Sequence, residues 1–171
     1  MIQLYDRYKD EDMEVWRILF ERQFSNLQDK ASTVYLEALE QMKDVLCAEF
    51  IPRFDNLNDI LATTNGWKIE VVKGLIPVDE FFVLLAEKKF CASTWLRTKE
   101  QLDYLDEPDM FHDIFGHIPL LMNKDFSNFA EGIGKFALNH LHNEEILVQL
   151  QRIYWFTIEF DENGKQRVFR A

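Results

Sequence analysis

Cysteine is almost missing from this chain of 171 residues: Cys47 and Cys91 are far apart, and neither belongs to a Cys-x-x-Cys pair. Two free thiols in a reducing compartment are the expected reading, with a single disulfide between them as the alternative. Basic residues are also few. Lys plus Arg number 19 against 30 Asp plus Glu, a formal net charge of −11, and no basic run offsets it. That balance repels phosphate backbones and anionic membranes, so neither nucleic acid nor a membrane surface is an expected partner. No apolar run approaches the ~20 residues that cross a bilayer. The opening stretch MIQLYDRYKDEDMEVW has no apolar core and carries acids early, so it does not read as a signal peptide. The expectation is a soluble, cytoplasmic protein. There is no internal repeat, low-complexity tract or Gly/Ser linker, and the length suits one domain, expected over 1–171. Phenylalanine, in contrast, is abundant, with 15 copies. They can fill a core, and they also suit a pocket for a flat ligand.

Apolar spacing predicts a first helix from about Glu11 to Asn26, with Val15, Ile18, Leu19 and Arg22 in register and Trp16 and Phe20 beside them. A second is predicted from about Lys30 to Cys47, capped by Ser32. An extended entry to Pro52 precedes a short helix from about Asp55 that Gly66 closes. WKIEVVKG reads as a strand, VDEFFVLLAEKKF as a helix begun after Pro77, and CASTW as an extended piece. A helix from Glu107 or Pro108 to His117 is stopped by Pro119. KDFSNFAEGIGKFALNHL is a helix whose Gly132 and Gly134 imply close packing. In NEEILVQLQRIYWFTIEF a helical stripe of Ile146, Leu150, Ile153 and Thr157 competes with a final aromatic and β-branched run that propensity alone makes a strand. DENG reads as a turn and KQRVF as a return strand. The fold class is mainly α with a few short β-strands.

The chemistry centres on EPDMFHDIFGH, which sets His112 and His117 five positions apart. Imidazole pairs bind Fe, Zn, Cu and Ni. On an ideal α-helix, five positions turn ~500° and leave the two rings ~140° apart. A shared metal then needs the helix to end at His117 and the chain to bend, which Gly116 and Pro119 allow; otherwise the two are structural or surface histidines. Glu159, alone among the apolar residues of YWFTIEF, would complete a two-histidine, one-carboxylate iron face, or else faces water at a helix end. A zinc hydrolase using the same histidines is a further reading.

EPDMFHDIFGHIPLL followed by YWFTIEF resembles the pterin-dependent aromatic amino acid hydroxylases, above all the bacterial phenylalanine 4-monooxygenases. GLIPVDEFFVLLAEKKF with STWLR, FIPRFDNLNDIL with TNGW, and VWRILFERQ are similar in the same order, so the resemblance spans about residues 11–160. It implies a single hydroxylase-like catalytic domain. It also implies Fe(2+) on His112, His117 and Glu159, and a tetrahydropterin cosubstrate held by Gly74, Leu75, Ile76, Val78, Phe81 and Asp113. Arg97 would bind the substrate carboxylate, Pro108, Trp155 and Phe160 would line the substrate pocket, and Tyr154 would lie near the iron. The implied reaction uses O2 to hydroxylate phenylalanine to tyrosine, with another aromatic amino acid as the variant.

After Phe160 the chain departs from the family pattern, and Leu105 stands where many members carry threonine. The resemblance therefore implies a C-terminally shortened domain. Its uncovered apolar surface would invite self-association. The alternative function is a shortened, non-catalytic relative that binds iron or pterin and serves as a binding or interaction protein.

Overall fold

A computed structural model describes residues 1–27 and 30–158. Six α-helices and one pair of short strands organise the described residues, in keeping with the mainly helical class. Helix α1 (Asp10–Leu27) begins with Asp10, Glu11 and Asp12, where the partial positive charge of a helix N-terminus favours acids. Its inner face is Val15, Trp16, Leu19, Phe20, Gln23 and Leu27. Arg22 turns outward and pairs with Asp103 at 3.0 Å, so Gln23 takes the inner position expected for it.

Helix α2 (Thr33–Met42) starts as predicted, with the Ser32 hydroxyl accepting from the Tyr35 N–H at 3.3 Å. It stops at Met42, short of Cys47. The Cys47 carbonyl accepts from the indole of fully buried Trp16 at 2.8 Å, and the chain turns there to bury Leu46 and Ile51. Tertiary burial thus overrides the apolar periodicity. Helix α3 (Phe54–Thr64) closes on Gly66, whose φ of 75° is the left-handed backbone that glycine tolerates best.

Strand β1 (Lys68–Val71), helix α4 (Val78–Ala86) and strand β2 (Lys89–Ala92) form a β-α-β unit. The strands pair in parallel, with Ile69 opposite Phe90 and Val71 opposite Ala92. Helix α5 (Lys124–Leu138) packs on α4. A Cβ added at Gly134 would lie 2.3 Å from the Ala86 nitrogen and 2.8 Å from the Phe82 carbonyl oxygen. Only glycine lets the two backbones meet. Gly132 faces open space, so the close packing inferred from both glycines holds for one of them. We therefore expect Gly134→Ala to destabilise the protein by about 3 kcal/mol through overpacking against rigid backbone. Gly132→Ala should stabilise it by about 0.5–1 kcal/mol through helix propensity. Urea unfolding midpoints of the two variants check this directly.

Helix α6 (Glu144–Ile158) stays helical through the aromatic run that propensity alone would make a strand. Leu147, Tyr154 and Ile158 are its buried positions. The predicted stripe lies one residue off that face, with Ile153 51% exposed. DENG and KQRVF lie outside the described residues. Among those residues no helix is long and apolar enough to cross a membrane.

Candidate metal centre and its cavity

The segment carrying both histidines begins its helical turn at Met110, later than predicted, because Asp109 caps it. The Asp109 Oδ1 accepts from the His112 N–H at 3.1 Å. Met110, Phe111, Ile114, Phe115 and Ile118 recur at helical spacing and are all buried. His112–His117 is a π-helical turn rather than an α-helix that ends in a bend. A π turn, bonded i→i+5, brings residues five apart onto nearly the same face, which removes the angular objection to a shared metal. Local chemistry explains the widened turn. In an α-helix the Phe115 carbonyl would accept from the N–H of residue 119, and Pro119 has none. The hydroxyl of buried Tyr35 donates to that carbonyl instead. Pro119 itself opens a 3-10 turn (Pro119–Met122). Asn65 donates to the Leu121 and Met122 carbonyls of that turn, both at 2.9 Å.

The outcome is that the Nε2 atoms of His112 and His117 lie 3.2 Å apart. Two imidazole nitrogens each ~2.1 Å from one ion, at right angles, would be ~3.0 Å apart. The pair therefore fits neighbouring positions on one divalent metal. His117 is buried, with its ring stacked on Phe90 at 5.0 Å. Burial first, and the neighbouring His112 second, hold its pKa well below the ordinary histidine value. The ring is thus kept neutral, the form that ligates metal. Among the described residues no group of three His, Cys, Asp or Glu could hold an ion. The expected third ligand, Glu159, lies outside them, as does Phe160.

The histidines open into a cavity of about 500 Å³. Gly74, Leu75, Ile76, Val78 and Phe81 line it from the loop and first turn of α4, with Pro108, Asp113, Tyr154 and Trp155 on other walls. Eleven of the residues singled out from sequence, both histidines and Tyr154 among them, are thus brought to one space from distant parts of the chain. Asp113 is held in place by the Ser93 N–H, 2.8 Å from its Oδ2. Phe81 meets Tyr154 edge to face, with centroids 5.1 Å apart. Volume and aromatic lining suit a flat heterocycle of pterin size.

Arg97 is placed differently. It is 2% exposed and clasps Asp109 through Nε and a terminal nitrogen, both at 2.9 Å. Among the described residues it does not line the cavity. Phe90, Cys91, Val148, Gln151 and Arg152 do line it without having been singled out. A signal existed for α6, because Val148, Gln151, Arg152 and Trp155 share one helical face with spacings of three and four.

Cys91 is half-buried in the cavity wall. Burial first, and the Asp113 carboxylate second, push its thiol from an ordinary 9.0 up to about 12. At pH 8 this cuts the reactive thiolate about a thousandfold relative to the unfolded chain. In Cys47→Ser protein, a disulfide reagent should label Cys91 at least about a hundredfold more slowly in buffer than in guanidinium. Equal rates would contradict this burial. The stability this thiol contributes is complete below about pH 9. It is lost as pH rises toward 12, because only the unfolded chain loses the proton in that window.

Comparison with known proteins agrees with this geometry. Residues 5–171 match the profile of the biopterin-dependent aromatic amino acid hydroxylases. Phenylalanine-4-hydroxylase of Chromobacterium violaceum is 44% identical over 155 residues, covering 91% of this chain and 51% of the relative. That of Pseudomonas aeruginosa is 43% identical over 153 residues, covering 90% and 57%. The crystal structure of the Chromobacterium violaceum enzyme with iron(III) and 7,8-dihydrobiopterin superposes with a TM-score of 0.86 at 43% identity, covering 94% of this chain and 57% of that one. The chain thus spans about half the length of the curated relatives it matches.

Proposed function

The chain belongs to the biopterin-dependent aromatic amino acid hydroxylases, and on that premise we propose that it carries the iron and pterin sites of a phenylalanine 4-monooxygenase. The supporting observation is the pair of ring nitrogens 3.2 Å apart opening into a cavity lined by Phe81 and the Gly74–Val78 loop. His112, His117 and Glu159 hold iron(II) in this reading. Gly74, Leu75, Ile76, Val78, Phe81 and Asp113 hold the tetrahydropterin. When bound, iron(II) and the reduced pterin supply the electrons with which dioxygen is split, so that one oxygen atom enters the substrate ring.

The chain's own residues position and exclude. His117 presents a neutral nitrogen because its ring is buried beside His112. Asp113, oriented by the Ser93 N–H, sets a carboxylate beside the pterin. Pro108, Trp155 and Phe160 present apolar surface to the substrate ring. The substrate carboxylate is assigned to Arg97 on the family resemblance alone, since its guanidinium lies off the cavity wall; the ion pair with Asp109 fixes the plane of that group. Two cysteines without a disulfide support a reducing, cytoplasmic setting.

Tyrosine formation from phenylalanine, Fe(II), tetrahydropterin and oxygen, measured alongside iron content, tests the proposal. Product at one iron per chain is expected. One equivalent of iron with neither tyrosine nor pterin oxidation would leave only the non-catalytic binding reading.

A further inference from the structure

A second cavity, of about 540 Å³, lies where the N-terminal arm meets the end of β1. Its wall includes Ile2, Leu4, Arg7, Lys73, Thr94 and Trp95. The arm is fastened by its polar side chains. Gln3 donates to the Pro52 carbonyl and accepts from the Phe54 N–H, both at 2.9 Å. Tyr5 donates to the Ile51 carbonyl at 2.9 Å, and Tyr8 to the Thr94 carbonyl at 2.7 Å. With those groups committed inward, Ile2 and Leu4 are left 74% and 45% exposed beside the cavity. Exposed apolar side chains at anchored positions form a preformed surface that a ligand can cover without first ordering it.

The charge of this wall runs against that of the molecule. In a chain of net charge −11, the two charged side chains on the cavity wall, Arg7 and Lys73, are both cations, and no acidic side chain among the described residues lines it. Neither cation makes an ion pair among the described residues. Two uncommitted cations beside apolar and aromatic surface select an anion with an apolar body. The volume falls within the ~300–1,000 Å³ range of small-molecule sites.

We propose that this cavity binds a small aromatic carboxylate, with its carboxylate on Arg7 and Lys73 and its ring against Ile2, Leu4 and Trp95. Val72 lines both this cavity and the one holding the histidines. Its N–H donates to the Ala92 carbonyl at 3.0 Å, and the chain beyond it is the loop that carries Gly74. A ligand here rests on the wall that the two cavities share. The inference concerns binding alone and stands whether or not the chain turns over phenylalanine.

Equilibrium dialysis of radiolabelled phenylacetate against the full chain tests it. One saturable site is expected, not displaced by phenylacetamide. The Arg7→Gln/Lys73→Gln double variant should weaken binding by about tenfold for each cation removed. Its thermal midpoint should be unchanged, because both side chains are exposed. Phe81→Ala, which alters only the histidine-bearing cavity, should bind phenylacetate as the parent does. Absence of saturable binding would overturn the proposal. So would binding that survives the double charge change, or binding that is lost in Phe81→Ala alone.

Discussion

His117→Ala protein retains no stoichiometric iron(II) after reconstitution and dialysis. His117 supplies one of two ring nitrogens already set 3.2 Å apart, and its burial keeps that nitrogen unprotonated. Changes to groups that merely orient a metal ligand cost about 10–100-fold in affinity. Removing a ligand itself costs more, and two remaining protein donors do not hold a labile divalent ion against buffer. Circular dichroism and a thermal melt establish that the variant folds. His117→Gln, which better fills the volume against Phe90, provides a second test with less packing loss. One iron per folded chain in both variants would refute the ligand assignment and with it the hydroxylase reading.

Asp109→Ala destabilises the fold by about 3–5 kcal/mol, the usual cost of removing one partner from a buried ion pair. That is a large share of the ~5–15 kcal/mol that holds a domain together. The carboxylate is fully buried and accepts from the Arg97 backbone N–H at 3.0 Å, from its guanidinium twice at 2.9 Å, and from the His112 N–H at 3.1 Å. Its loss leaves a cation in a dry interior and uncaps the turn that carries the histidines. Asp109→Asn keeps some of these acceptors and should fall between parent and alanine. Urea midpoints measure all three, and a shift below about 1 kcal/mol for alanine would show that the pair is relaxed or hydrated. The same pairing changes how Arg97 is to be probed. Arg97→Ala removes a structural ion pair together with any substrate contact. Arg97→Lys, which keeps the charge and loses the planar fork, is the variant in which KM for phenylalanine is informative.

Helix starts were legible where a local group marks them, as with Ser32 before α2 and Pro77 before α4. Ends were less so, because α2 gives way at Met42 to a long-range bond between the Trp16 indole and the Cys47 carbonyl. In α6, burial of Leu147, Tyr154 and Ile158 outweighed the strand propensity of the aromatic run. The cavity walls were legible through resemblance, since their spacing alone would serve equally well for a core. The π turn was not legible. Pro119 announces a missing N–H, but the donor that compensates the Phe115 carbonyl belongs to Tyr35, and nothing local points to it. An ideal helix then gives the wrong angle between the histidines. The Arg97–Asp109 pair was hidden for a similar reason: an arginine assigned to substrate gives no sign in sequence of a partner twelve positions on.

The bond from Tyr35 to Phe115 joins positions 80 residues apart, and this bears on the order in which the protein matures. Closing so long a loop costs entropy that only docked neighbours repay. During synthesis the histidine segment can coil locally, but it acquires its final pitch only once α2 has seated against it. The spacing of the two ring nitrogens is therefore a late product of folding, set only after residues of the first third have docked against those at the start of the last.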